Sequence, residues 1–141
     1  MASNQQQTMH ADDKLILIRM LPVLLLTAAA MAWVIYVEGA GAYAAANVLP
    51  MLIAAVLAWI TLRRGRGRWQ GAGWRWPLGT LGFALPAIGL SLYLHYAYAM
   101  DHEGMASQAV DPAALFRYLP IYTTVAGATG FAIGWIAGRN I

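Results

Sequence analysis

The chain has 141 residues, of which 60% are hydrophobic and 11% charged, with a formal net charge of +3. A soluble domain of this size cannot hide so much apolar surface in one core, so hydrocarbon has to cover much of it. The chain holds no cysteine, which excludes disulfides, thiolate metal sites, iron–sulfur clusters and cysteine nucleophiles together.

Residues 1–13 are polar, with Gln5-Gln6-Gln7, and predict a short disordered cytoplasmic tail. Residues 14–141 read as a single domain. Within it four apolar segments, at about 15–37, 45–62, 77–100 and 118–137, are each long enough to cross a bilayer, which takes roughly 20 residues. The fold class predicted is all-α: a polytopic membrane protein with four transmembrane helices in a bundle. Arg19 alone interrupts a span, about a turn from its start, where its stem can snorkel to the headgroups. A rival reading makes the first span a signal peptide with Ala42-Tyr43-Ala44 as its cleavage site. The apolar stretch is long for that role, and Arg19 sits late for a charged leader.

The loops set the orientation. Arg63, Arg64, Arg66, Arg68 and Arg75 lie between spans two and three without an acid among them. Lys14 and Arg19 flank the start of span one, and Arg139 follows span four. The other two loops carry Glu38, then Asp101, Glu103, Asp111 and Arg117. Short basic loops stay cytoplasmic, which places both termini inside a bacterial-type inner membrane. Trp33, Trp59 and Trp135 near span ends, with Trp69, Trp74 and Trp76 beside the arginines, suit the headgroup boundary. The arginine loop can also touch anionic headgroups on that side. Such a run is what orientation alone demands, so no nucleic acid is expected.

Gly65, Gly67, Gly71 and Gly73 predict a flexible, non-helical arginine loop. Asp111 before Pro112 is a helix-start signal. Residues 113–118 then predict a short interfacial helix entering span four, with a bend at Pro120. Pro22 and Pro86 fall inside spans one and three, where neighbours can satisfy the carbonyls they free. Ala126, Gly130, Gly134 and Gly138 recur every four residues on one face of span four, a spacing that lets two backbones approach closely. Their partner can be another span, a second copy or another subunit.

Polar residues gather at the end away from the arginines. Ser91, His95, Tyr98 and His102 share a face of span three, Tyr118 and Tyr122 a face of span four, while Asn47 opens span two and Glu38 closes span one. Together they suggest a polar, acidic vestibule. His95, His102, Asp101, Glu103 and Glu38 are the candidate ligand or metal residues, and His95 leads because an ionisable group in a span is costly. His95 and His102 lie about 10.5 Å apart along a helix, long for one shared ion. Glu38 joins them only through the fold. A haem needs axial ligands from opposite sides, which one helix does not give. Ser91 and His95 resemble a nucleophile and base, but no oxyanion stabiliser or orienting third group accompanies them. No catalytic residue and no cofactor are assigned, and the acid-free spans disfavour a proton-coupled antiporter.

The leading functional expectation is a non-enzymatic accessory or assembly subunit of a larger inner-membrane complex. It would dock other membrane subunits, or copies of itself, through the small-residue face of span four. The alternatives are an oligomeric channel or carrier with its mouth near His95, and a membrane enzyme or metal site at His95 and His102.

Overall fold

The computed structural model describes residues 2–39, 41–100 and 114–141. The chain is all-helical, with no strand among the described residues. Helices α1 (Ala2–Glu38), α2 (Ala44–Asn47), α3 (Leu49–Arg64), α4 (Arg75–Met100) and α5 (Ala114–Ala137) follow one another. Among the described residues four stretches are long and apolar enough to cross a membrane: Ala11–Glu38, Ala44–Arg64, Arg75–Met100 and Ala114–Ala137. The second of them joins α2 to α3. Pro50, in the first turn of α3, has no N–H to give, so the helical ladder falters just before it.

Helix α1 runs from Ala2 onward. Nothing between Ala2 and Leu15 breaks a helix: the segment has neither glycine nor proline. Helix α5 likewise runs without a break through Pro120. Asp111 and Pro112 lie outside the described residues.

The helices alternate in direction. At the arginine end, Ile16 and Met20 of α1 pack on Ala58 and Leu62 of α3, with Trp69 against them. In the middle, Ala30 and Val34 meet Met51, with Ile88 and Leu92 alongside. Ala54, Phe83 and Ala87 complete the core, with Phe131 from α5. Helix α4 is central, touching α1, α3 and α5. Outward faces stay apolar: Leu17, Leu21 and Leu25 on α1 and Ile121, Val125 and Ile133 on α5 are exposed. Such a surface belongs in hydrocarbon, and the chain is a multi-pass membrane protein.

The small-residue face of α5 meets α4 of the same chain. A Cβ on Gly130 would stand 1.9 Å from the Gly82 carbonyl oxygen, one on Gly134 2.1 Å from that of Leu78, and one on Gly138 2.7 Å from the backbone of Arg75. The Gly82 carbonyl lacks its helical donor, because the residue four positions on is Pro86. It points along a Cα–H bond of Gly130, the weak contact that close helix pairs use. Proline and glycine thus form one device: the first frees a carbonyl and the second lets it be approached.

The arginine turn is compact. Gly67 N–H donates to Leu62 O at 2.8 Å and Arg66 N–H to Arg63 O at 3.3 Å. These are the two bonds of a Schellman ending, and Arg66 fills its left-handed position with φ 51°. Arg19 Nη1 donates to the Gly67 carbonyl at 2.8 Å and ties α1 to the turn. Arg63, Arg64 and Arg75 lie over the rings of Trp59, Trp76 and Trp135 at 5.2, 4.7 and 5.8 Å.

Candidate functional site

The fold brings Glu38 and His95 together. Glu38 ends α1, and His95 lies five residues before the end of α4, 57 positions along the chain. His95 Nε2 and Glu38 Oε1 are 2.7 Å apart, and the two side chains are 0% and 2% exposed. The other ring nitrogen, Nδ1, lies 2.6 Å from the carbonyl oxygen of Ser91, one turn earlier on α4. Both imidazole nitrogens are engaged in hydrogen bonds.

Phe116 covers the imidazole, its ring stacked on His95 with centroids 4.9 Å apart. Tyr98 meets the same phenyl ring edge-on at 4.6 Å. The position of Phe116 follows from a missing bond. Its carbonyl would accept from the N–H four residues on, which Pro120 does not have. Asn47 supplies the donor, its Nδ2 lying 3.0 Å from Phe116 O. One turn from α2, a proline in α5 and a histidine in α4 are thereby locked into a single layer.

Two atoms of this layer have no partner among the described residues: Asn47 Oδ1 and Ser91 Oγ. The Ser91 hydroxyl does not reach His95, which bonds the Ser91 carbonyl instead. The spacing of a nucleophile and base is present, but the bond between them is not.

The described members of the vestibule expected from the sequence fall into two groups. Asn47, Ser91 and His95 are buried, whereas Tyr118 and Tyr122 turn outward. Proximity to a helix end had suggested hydration, but α5 closes over the end of α4 instead. The first span is also not acid-free, since its helix ends on a buried carboxylate. Asp101, His102 and Glu103 lie outside the described residues. Among the described residues no three His, Cys, Asp or Glu side chains gather as a metal site would require. Arg63, Arg64, Arg66, Arg68 and Arg75 occupy the opposite end, at or beside the turn that joins α3 to α4. Ala126 stands on α5 with the glycines described above.

Sequence reasoning missed Phe116 and the partner of Asn47. Pro120 signals that the Phe116 carbonyl needs a donor, but not which residue provides it. A second polar contact, Thr61 Oγ1 to Thr80 Oγ1 at 2.8 Å, links α3 and α4 nearer the arginines. Thr61 gives its one hydrogen to Leu57 O at 2.8 Å, so Thr80 is the donor across the helices.

An open surface lies elsewhere among the described residues. Between α1 and α4 runs a groove, with Ala54 and Ala58 of α3 at its floor. A cavity of about 390 Å³ occupies its arginine half, between Val23, Trp69, Pro77 and Thr80. Another of about 700 Å³ occupies the other half, between Trp33, Gly89, Leu92 and Tyr96. From Pro77 to Tyr96 is about 28 Å of helix, close to the thickness of a bilayer's hydrocarbon. Its polar residues turn away: Thr27 donates to Val23 O at 2.8 Å, and Thr80 bonds Thr61.

No protein-family model, curated protein or solved structure matches this chain.

Proposed function

We propose that this chain is a non-enzymatic accessory subunit of a larger complex in a bacterial-type inner membrane. It seats an apolar transmembrane segment of a partner subunit in the groove between α1 and α4. The observation that carries this reading is the contrast between the two features. The carboxylate–imidazole pair is sealed from any substrate, whereas the open surface is chemically blank and as long as a membrane span. A catalyst or a pore exposes its polar groups; a docking surface exposes apolar ones. The small-residue face of α5 is occupied by α4, so docking shifts from that face to the groove.

The arginine turn supports an orientation with both termini cytoplasmic. Guanidinium groups stacked on Trp59, Trp76 and Trp135 are held at one level, which suits contact with anionic headgroups at about 1 kcal/mol each.

The test uses a photo-crosslinking residue at Gly89, in the groove, and at Ile133, on the outward face of α5. In native membranes Gly89 should yield a discrete protein adduct and Ile133 only lipid. Native mass measurement after mild-detergent extraction identifies the partner, including a second copy of the chain. A lone monomer with lipid adducts at both positions would remove this reading.

A further inference from the structure

We propose that Glu38 and His95 form a proton-binding site that latches α1 to α4 at the end away from the arginine turn. The argument is a count of hydrogens. The Ser91 carbonyl only accepts, so at 2.6 Å His95 Nδ1 has to carry a hydrogen. With Nδ1 protonated, a neutral imidazole has a bare lone pair on Nε2. An ionised Glu38 also presents only lone pairs. At 2.7 Å these two atoms would repel, so one proton lies between them.

The proton belongs either to Nε2, making imidazolium and carboxylate, or to Oε1, making imidazole and carboxylic acid. Both forms are neutral as a pair, and neutrality is what a site this dry permits. Removing the proton leaves a buried net negative charge and two opposed lone pairs. Among the described residues no Lys or Arg pairs with Glu38. Around the pair stand Ser91 and Tyr98 on α4, Asn47 on α2 and Phe116 on α5. Arg117, next along α5, is exposed and lies over the ring of Tyr118 at 5.6 Å. The tyrosines on these elements are Tyr36 of α1, Tyr43 beside α2, Tyr93, Tyr96 and Tyr98 of α4, and Tyr118 and Tyr122 of α5; the other charged side chains of α1 and α4, from Asp12 to Arg19 and at Arg75, lie toward the arginine turn.

The latch joins the two walls of the groove. Val34, one turn before Glu38, sits in the core that packs against Leu92, and Leu92 and Tyr96 flank His95 on the groove side. Losing the proton therefore loosens α1 from α4 where the groove ends. This inference does not rest on the accessory-subunit reading, and its test requires no partner.

The experiment takes the full chain in lipid nanodiscs with His10→Gln and His102→Gln, so that His95 is the sole histidine. Nitrogen NMR of the labelled imidazole, with infrared detection of the carboxyl stretch, is followed from mildly acidic to alkaline pH. Spin labels at Tyr36→Cys and Tyr93→Cys, both exposed positions, report the α1–α4 separation. The expected result is a protonated Nδ1 together with either a protonated Nε2 or a protonated carboxyl. Where the spectra show that shared proton lost, the separation should be larger by several ångström. Glu38→Gln carries its own amide hydrogen to Nε2, so its separation should not change with pH. A bare Nδ1, or an ionised carboxylate facing neutral imidazole at every pH, would overturn the proposal. So would a Glu38→Gln protein that opens with pH as the native one does.

Discussion

The side-chain amide of Asn47 donates to the Phe116 carbonyl at 3.0 Å, the place a helix reserves for the N–H that Pro120 lacks. The bond is buried and joins α2 to α5, so its loss leaves an acceptor that nothing else among the described residues satisfies. Asn47→Ala should destabilise the bundle by about 1–2 kcal/mol. Pro120→Ala restores the backbone donor. In that background Asn47→Ala should cost less than half as much, a coupling that a double-mutant cycle of detergent-unfolding midpoints measures. Equal costs in both backgrounds would mean that Asn47 stabilises by packing alone.

Gly130 and Gly89 make opposite predictions for the same substitution. A methyl at Gly130 meets the Gly82 backbone, whereas one at Gly89 meets nothing within 4 Å. Gly130→Ala should force α4 and α5 apart and cost more than about 2 kcal/mol. Gly89→Ala should gain up to about 1 kcal/mol through helix propensity. Thermal unfolding followed by circular dichroism separates them. A tolerated Gly130→Ala would return the small-residue face to use between chains.

Ser91 carries a buried hydroxyl without a partner among the described residues, although its carbonyl orients His95. Ser91→Ala removes the hydroxyl and keeps the carbonyl. It should leave stability unchanged or raise it by up to about 1 kcal/mol, because an unsatisfied polar group goes with it. His95→Ala removes one partner from a buried pair and should cost about 3–5 kcal/mol. A large loss in Ser91→Ala, read in the same unfolding assay, would show that the hydroxyl holds a bound water.

Hydropathy made the four spans legible, because roughly 20 apolar residues in a row have few other uses. The sealed layer was not legible, for reasons particular to its members. Glu38 lies at the end of a span, where an acid usually faces water, and its partner is 57 positions away. Spacing on α4 put Ser91 and His95 on one face, but it did not say that α5 would cover them. The glycines of α5 announced a close backbone approach without naming α4 as the partner. Helices packed side by side are chosen by three-dimensional fit, which periodicity along one chain does not encode.

Arg66 supplies a prediction that separates backbone from charge. It holds φ at 51°, the left-handed position of the turn that ends α3, where glycine is the usual occupant. Left-handed backbone costs an L residue about 1–2 kcal/mol. Glycine's greater freedom in the unfolded chain offsets about 0.5–1 kcal/mol of that. Arg66→Gly should therefore stabilise the protein by about 0.5–1 kcal/mol. Arg66→Ala removes the same charge but keeps a Cβ, so it should gain nothing. A rise in unfolding temperature confined to the glycine variant assigns the effect to the backbone. Equal rises in both would assign it to relief of repulsion among Arg63, Arg64 and Arg68, and the strain at this turn would then be negligible.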